Sequence, residues 1–146
     1  TDGSCKDHVG GYGILMIEKE SKLSYYGGIT GYCTNNIAEL MAIYQTLRLL
    51  ISISGINDKS IIIFTDSEYC VKIFNEYIVN WLKNGWKTSK GTDVENIQLI
   101  KNIYELLQII HVKICWIKEH NNHIYNDYVD SLAEKGRLTI SNKNDK

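Results

Sequence analysis

Four acidic residues stand in contexts suited to holding a hard cation. They are Asp2 in Thr-Asp-Gly-Ser, Glu39 in Asn-Asn-Ile-Ala-Glu-Leu, Asp66 in Phe-Thr-Asp-Ser-Glu and Asp130 in Asn-Asp-Tyr-Val-Asp-Ser-Leu-Ala. Two of them end apolar or strand-like stretches, and two sit on amphipathic helical stretches. A fold that gathers all four makes a dense carboxylate cluster, which is electrostatically unstable unless a divalent cation neutralises it. Mg²⁺ prefers oxygen ligands and retains several waters, so a few carboxylates suffice to hold it. The chemistry such a cluster supports is metal-dependent attack on a phosphate group. Taken singly, each of these residues reads as a helix cap or a solvated charge; only the four together point to catalysis.

The elements that must position them follow from the apolar pattern. Residues 9–18 contain Gly-Gly-Tyr-Gly and then Ile-Leu-Met-Ile, a glycine-opened strand in which Gly10 and Gly11 form a turn or bulge. Residues 22–28 read as its hairpin partner. Over 36–53, Ile37, Leu40, Met41, Tyr44, Leu47 and Leu50 recur at helical spacing, with Thr34, Asn35 or Asn36 available as N-cap and Gly55 as terminator. The run Ile61-Ile62-Ile63-Phe64 predicts a strand buried on both faces, as in the core of a parallel or mixed sheet. Helical character returns over 67–77 and a mixed segment follows to residue 91. A helix is expected over 94–107, a strand over 111–117 with Trp116 in the core, and a last helix over 125–137. Residues from Thr139 onward are polar and are expected to fray, which gives one domain over 1–138 and a tail over 139–146. No methionine and no apolar run precede Asp2. Its strand therefore reads as truncated, and the sequence as a piece of a longer chain.

Composition narrows the class. A chain of 146 residues suits one domain with a core that needs no disulfide or structural metal. At 44% hydrophobic it is not a disordered sequence. No stretch is long and apolar enough to span a bilayer and no leader opens the chain, so an intracellular protein without a membrane partner is expected. The four cysteines, Cys5, Cys33, Cys70 and Cys115, lack a Cys-x-x-Cys pair and read as reduced thiols, not zinc ligands. The net charge of −1 does not advertise a nucleic-acid partner. With four carboxylates neutralised by metal, however, the remainder is mildly basic and compatible with a polyanion.

Thr-Asp-Gly-Ser-Cys, Thr-Asn-Asn-x-Ala-Glu-Leu, Thr-Asp-Ser and Trp-Ile-Lys-x-His-x-x-His-x-x-Asn-Asp-x-x-Asp-x-Leu-Ala occur in order from Thr1 to about Gly136. In this the chain resembles type 1 ribonuclease H. The resemblance implies an α/β fold, a five-stranded mixed sheet flanked by helices. It also implies an endonuclease that hydrolyses the RNA strand of an RNA–DNA hybrid with two Mg²⁺ ions, Mn²⁺ being a substitute, leaving 5′-phosphate and 3′-hydroxyl ends. Matched residue by residue, Asp2, Glu39, Asp66 and Asp130 take the metal-binding positions. His123 takes that of a mobile histidine assisting proton transfer or product release. Cys5, Asn35 and Asn36 fall where the family grips the minor groove and the 2′-hydroxyl. Trp81, Lys83, Trp86 and Lys87 resemble a basic protrusion that holds the DNA strand. A monomer is expected.

Two departures stand out. The loop after Ser4 is short, with Asp7 and His8 nearest to a nucleic-acid-contacting asparagine of the family, and Glu68 adds negative charge beside Asp66. Asp127, one turn before Asp130, reads as an exposed helix-start charge, and His120 as an organiser of its loop. The rival readings are the ribonuclease H domain of a reverse transcriptase polyprotein, a non-catalytic hybrid-binding module, and a DNA nuclease of the same fold.

Overall fold

The computed structural model describes residues 1–118 and 124–144, with the side chains of 141–144 left out. Three strands form an antiparallel sheet: β1 (Asp2–Lys6), β2 (Val9–Glu18) and β3 (Ser21–Ile29), in the order β1-β2-β3. The β1–β2 connection is the two-residue turn Asp7-His8, with φ of 53° and 62°. Those left-handed angles match the twist of a tight hairpin. Gly10 and Gly11 are therefore not a turn: they lie within β2, opposite Cys5 and Ser4.

Helix α1 (Asn35–Ile51) follows, capped by Thr34, whose hydroxyl accepts from the Ile37 amide at 3.2 Å. Strand β4 (Ile61–Thr65) pairs in parallel with β5 (Val112–Trp116) as a second, two-stranded sheet. Between them run α2 (Glu68–Lys72), a π-helical turn over Ile73–Tyr77, α3 (Ile78–Asn84) and α4 (Ile97–Ile109). The last helix, α5 (Ile124–Asn144), lies across the three-stranded sheet. It continues through the segment expected to fray, because Ile140 and Thr139 find contacts over Gly28.

The expected five strands are present, as three plus two. Thr1, whose amine donates to the Phe64 carbonyl at 3.0 Å, links the edges of β1 and β4. An open apolar groove of about 740 Å³ is lined by residues 14–18 of β2 and 61–64 of β4. Ile62 and Phe64 face outward there at 49% and 48% exposure, so β4 is buried on one face and not on both. Trp116, expected in the core, is likewise half exposed.

The main core joins Leu40, Ile43 and Leu47 of α1 to Ile63, Ile73, Ile100, Ile103 and Ile114. Burying these side chains contributes roughly 1.5–3 kcal/mol each and fixes α1 against β4. Two close approaches set the other side of the site. A Cβ on Gly3 would fall 2.2 Å from the Ala38 carbonyl carbon, so only glycine lets β1 lie flush on α1. A Cβ on Gly13 would fall 2.5 Å from the Val129 carbonyl oxygen, so α5 sits equally close to β2.

Candidate metal centre

Three elements bring carboxylates to one point, and a fourth, α5, packs beside them. Asp2 opens β1 and is 3% exposed. Glu39 lies in the second turn of α1, and Gly3 brings its backbone against β1. Asp66 follows the last residue of β4, where the Trp116 indole donates to its carbonyl oxygen at 3.2 Å. Asp130 is exposed on α5, near enough to Asp2 to raise its carboxyl. Asp2, Glu39 and Asp66 each offer an oxygen within 4.8 Å of the other two. Asp127 stands exposed in the first turn of α5, and Glu68 pairs with Lys72 at 3.2 Å.

The electrostatics of the cluster favour a cation. Burial, the Glu39 charge, the nearby Asp130 and a hydrogen bond to Glu39 hold the Asp2 carboxyl far above the usual carboxylate range. Burial and the charge of Asp66 also raise Glu39, while a hydrogen bond from Asp2 moderates that rise, so the proton of the pair resides on Asp2. The second oxygen of Glu39, Oε2, is buried and has no hydrogen-bond partner among the described residues. A buried acceptor left unpaired is costly. Three carboxylates supplying hard oxygens, one of them orphaned, fit a divalent cation.

The other expected site residues fall into two groups. Asn35 and Asn36 are exposed at the start of α1, and Asn35 lies one turn before Glu39 on the same face. Cys5 joins them by donating to the Cys33 carbonyl at 3.1 Å. Trp81, Lys83, Trp86 and Lys87 collect at the end of α3. There the two indoles, 6.1 Å apart, are half buried and pack on the main core. Lys87 is engaged by Asp93, whereas Lys83 is exposed. His123 and His120 lie outside the described residues.

Two features were missed in the sequence. The Trp116 bond to Asp66 depends on packing and leaves no local signal. The Ser4–Glu134 bond could have been anticipated, because each partner sits one side-chain repeat beyond a cluster carboxylate on its own element.

Comparison with known proteins bears on the same residues. The family model described as RNase H matches residues 1–137. The chain is 38% identical over 138 residues to the ribonuclease H of Pseudomonas putida strain F1, covering 93% of this chain and 89% of that one. It is 36% identical over 143 residues to the ribonuclease H of Legionella pneumophila strain Corby, covering 97% and 96%. Among solved structures, a foamy viral protease-reverse transcriptase in complex with RNA/DNA hybrid superposes with a TM-score of 0.79 at 26% identity. That match covers 94% of this chain, which spans about a fifth of the viral one, 19%.

Proposed function

Since this chain belongs to the ribonuclease H family, we propose that Asp2, Glu39, Asp66 and Asp130 together hold two Mg²⁺ ions at the scissile phosphate. The protein is a metal-dependent endoribonuclease acting on the RNA strand of RNA–DNA hybrids. The orphaned Oε2 of Glu39, buried among like charges, is the observation that carries the metal assignment. Bound there, Mg²⁺ supplies the positive charge that makes water a better nucleophile and stabilises the leaving 3′-oxygen.

The chain's own residues supply position and contact. Asp2 and Asp66 sit at the ends of β1 and β4, and rigid elements hold ligands better than loops do. The Trp116 indole fixes the Asp66 backbone through its carbonyl. Asn35, Asn36 and Cys5 present donors and acceptors to the minor groove, where the 2′-hydroxyl distinguishes RNA from DNA. Lys83 adds sequence-independent attraction to phosphates, with Trp81, Trp86 and Lys87 around it. His123 assists proton transfer or product release. Residues 1–138 form the catalytic unit, which works as a monomer inside the cell. Among the described residues, no helix is long and apolar enough to cross a membrane.

The test is cleavage of end-labelled RNA–DNA hybrid with Mg²⁺, beside RNA–RNA and DNA–DNA duplexes and an EDTA control. Hybrid-only, EDTA-sensitive cutting of the RNA strand is expected. Asp66→Asn is expected to fold and bind hybrid while losing cleavage; retained activity in that variant overturns the four-carboxylate assignment.

A further inference from the structure

Asp2 and Asp130 belong to different elements. Beside them lies a contact that joins the same two elements. Ser4 is two residues along β1 from Asp2, so the two side chains share a face about 7 Å apart. Glu134 is four residues along α5 from Asp130, which places it on the same helix face about 6 Å further on. The Ser4 hydroxyl donates to Glu134 Oε2 at 3.1 Å. Strand and helix are thus joined at Ser4–Glu134, one side-chain repeat beyond Asp2 on β1 and Asp130 on α5.

This contact is anchored. Arg137 is 8% exposed, and its guanidinium grips Glu134 in two places, Nε to Oε2 at 3.1 Å and Nη2 to Oε1. A two-point arginine–carboxylate contact fixes orientation as well as position. Arg137 is itself held over the sheet: a Cβ on Gly11 would fall 2.1 Å from its backbone nitrogen, and Gly11 is the β2 residue paired with Ser4.

We propose that Glu134 is a positioning residue: anchored by Arg137, it ties β1 to α5 through Ser4 and fixes the separation of Asp2 and Asp130 before the cation binds. Without the tie, β1 and α5 are free to shift against one another at the cluster. Metal binding must then fix them, so affinity falls while chemistry at saturating metal is preserved. The inference rests on the metal reading given above for the four carboxylates.

The experiment compares wild type with Ser4→Ala, Glu134→Ala, the double variant and Ser4→Thr. Each is measured for Mn²⁺ binding by calorimetry without substrate, for hybrid cleavage against Mg²⁺ concentration, and for thermal stability. Ser4→Ala removes one exposed hydrogen bond and keeps the Glu134–Arg137 pair, so it guards against misfolding in Glu134→Ala. Each single change is expected to weaken Mn²⁺ binding and raise half-saturating Mg²⁺ about 10-fold, the low end for residues supporting metal ligands. The rate at saturating Mg²⁺ should change less than about two-fold, in contrast to a loss of catalytic groups. The double variant should be no worse than either single one, and Ser4→Thr, which keeps the hydroxyl, should behave as wild type. Unchanged metal affinity in both single variants, or losses that add in the double, overturns the proposal. A wild-type protein that neither binds Mn²⁺ nor cleaves hybrid overturns the metal reading itself.

Discussion

Burial raises the carboxyls of Asp2 and Glu39 above their ordinary range, and this gives the metal-free protein an unusual pH response. A carboxyl whose native pKa lies above its unfolded value binds its proton more tightly in the folded state. Its contribution is then fully present below the unfolded value, about 4, and declines as pH rises toward the native value. For Glu39 the native value is about 7, and for Asp2 it is higher still. Between pH 5 and 8 the metal-free protein should therefore lose stability from this pair. Asp2→Asn removes the ionising group that shares Glu39's proton, so in EDTA it should be more stable than wild type at pH 8, by on the order of 2 kcal/mol. The gap should narrow toward pH 5, and Mg²⁺ should close it by stabilising wild type alone. Thermal melts of both proteins at the two pH values, with and without Mg²⁺, check this. A gap that widens toward acid would mean the cluster is not strained when empty. At this scale part of the site was legible in the sequence: Asp2, Glu39 and Asp66, which the fold brings together, stood out as members of a set and not singly. The Trp116 contact was not, because a tryptophan's exposure depends on what the rest of the chain places over it.

Elements bring these residues together through close backbone approach. Gly3 carries the case beside the cluster, since the carbonyl of Ala38 and the amide of Glu39 occupy the space a Cβ would need. Backbone atoms cannot rotate aside as a side chain would. Gly3→Ala must therefore push β1 off α1, moving Asp2 away from Glu39. The expected cost is about 3 kcal/mol of stability, at the upper end for overpacking, together with loss of most cleavage even where the protein remains folded. Denaturant unfolding and the hybrid assay measure the two effects separately; full activity in Gly3→Ala would mean β1 is free to shift without disturbing the cluster. Helix α1 was legible, because Leu40, Leu47 and Leu50 recur at helical spacing behind the Thr34 cap. Strand β1 was not, since Asp-Gly-Ser-Cys-Lys has no alternating apolar pattern and becomes a strand by pairing with Gly13 through Val9 of β2. The continuation of α5 past Arg137 was hidden for a similar reason: the polar composition of that segment says nothing of the groove over Gly28 that receives Ile140.

Across the whole molecule, a net charge of −1 leaves the protein dependent on a few well-placed cations for any attraction to a polyanion. The segment at the end of α3 contains both kinds of contributor. Trp81 packs on the main core and Lys87 is occupied by Asp93, whereas Lys83 is exposed. Trp81→Ala should therefore act through folding, at roughly 2–3 kcal/mol for a half-buried indole, with hybrid affinity falling only as the folded fraction falls. Lys83→Ala should leave stability unchanged and weaken hybrid binding most at low salt. Removing one phosphate contact should reduce the slope of log affinity against log salt by about 1. Lys87→Ala should change that slope less, because Asp93 already offsets its charge and is left unpaired and repulsive when the lysine is removed. Binding isotherms of catalytically silent Asp66→Asn protein, with each lysine change added, at several salt concentrations separate these cases. Equal slope changes for the two lysines would mean that the hybrid displaces Asp93 and recruits both side chains. No change for either would place the DNA-gripping surface elsewhere on the molecule, leaving the α3 segment as a structural anchor.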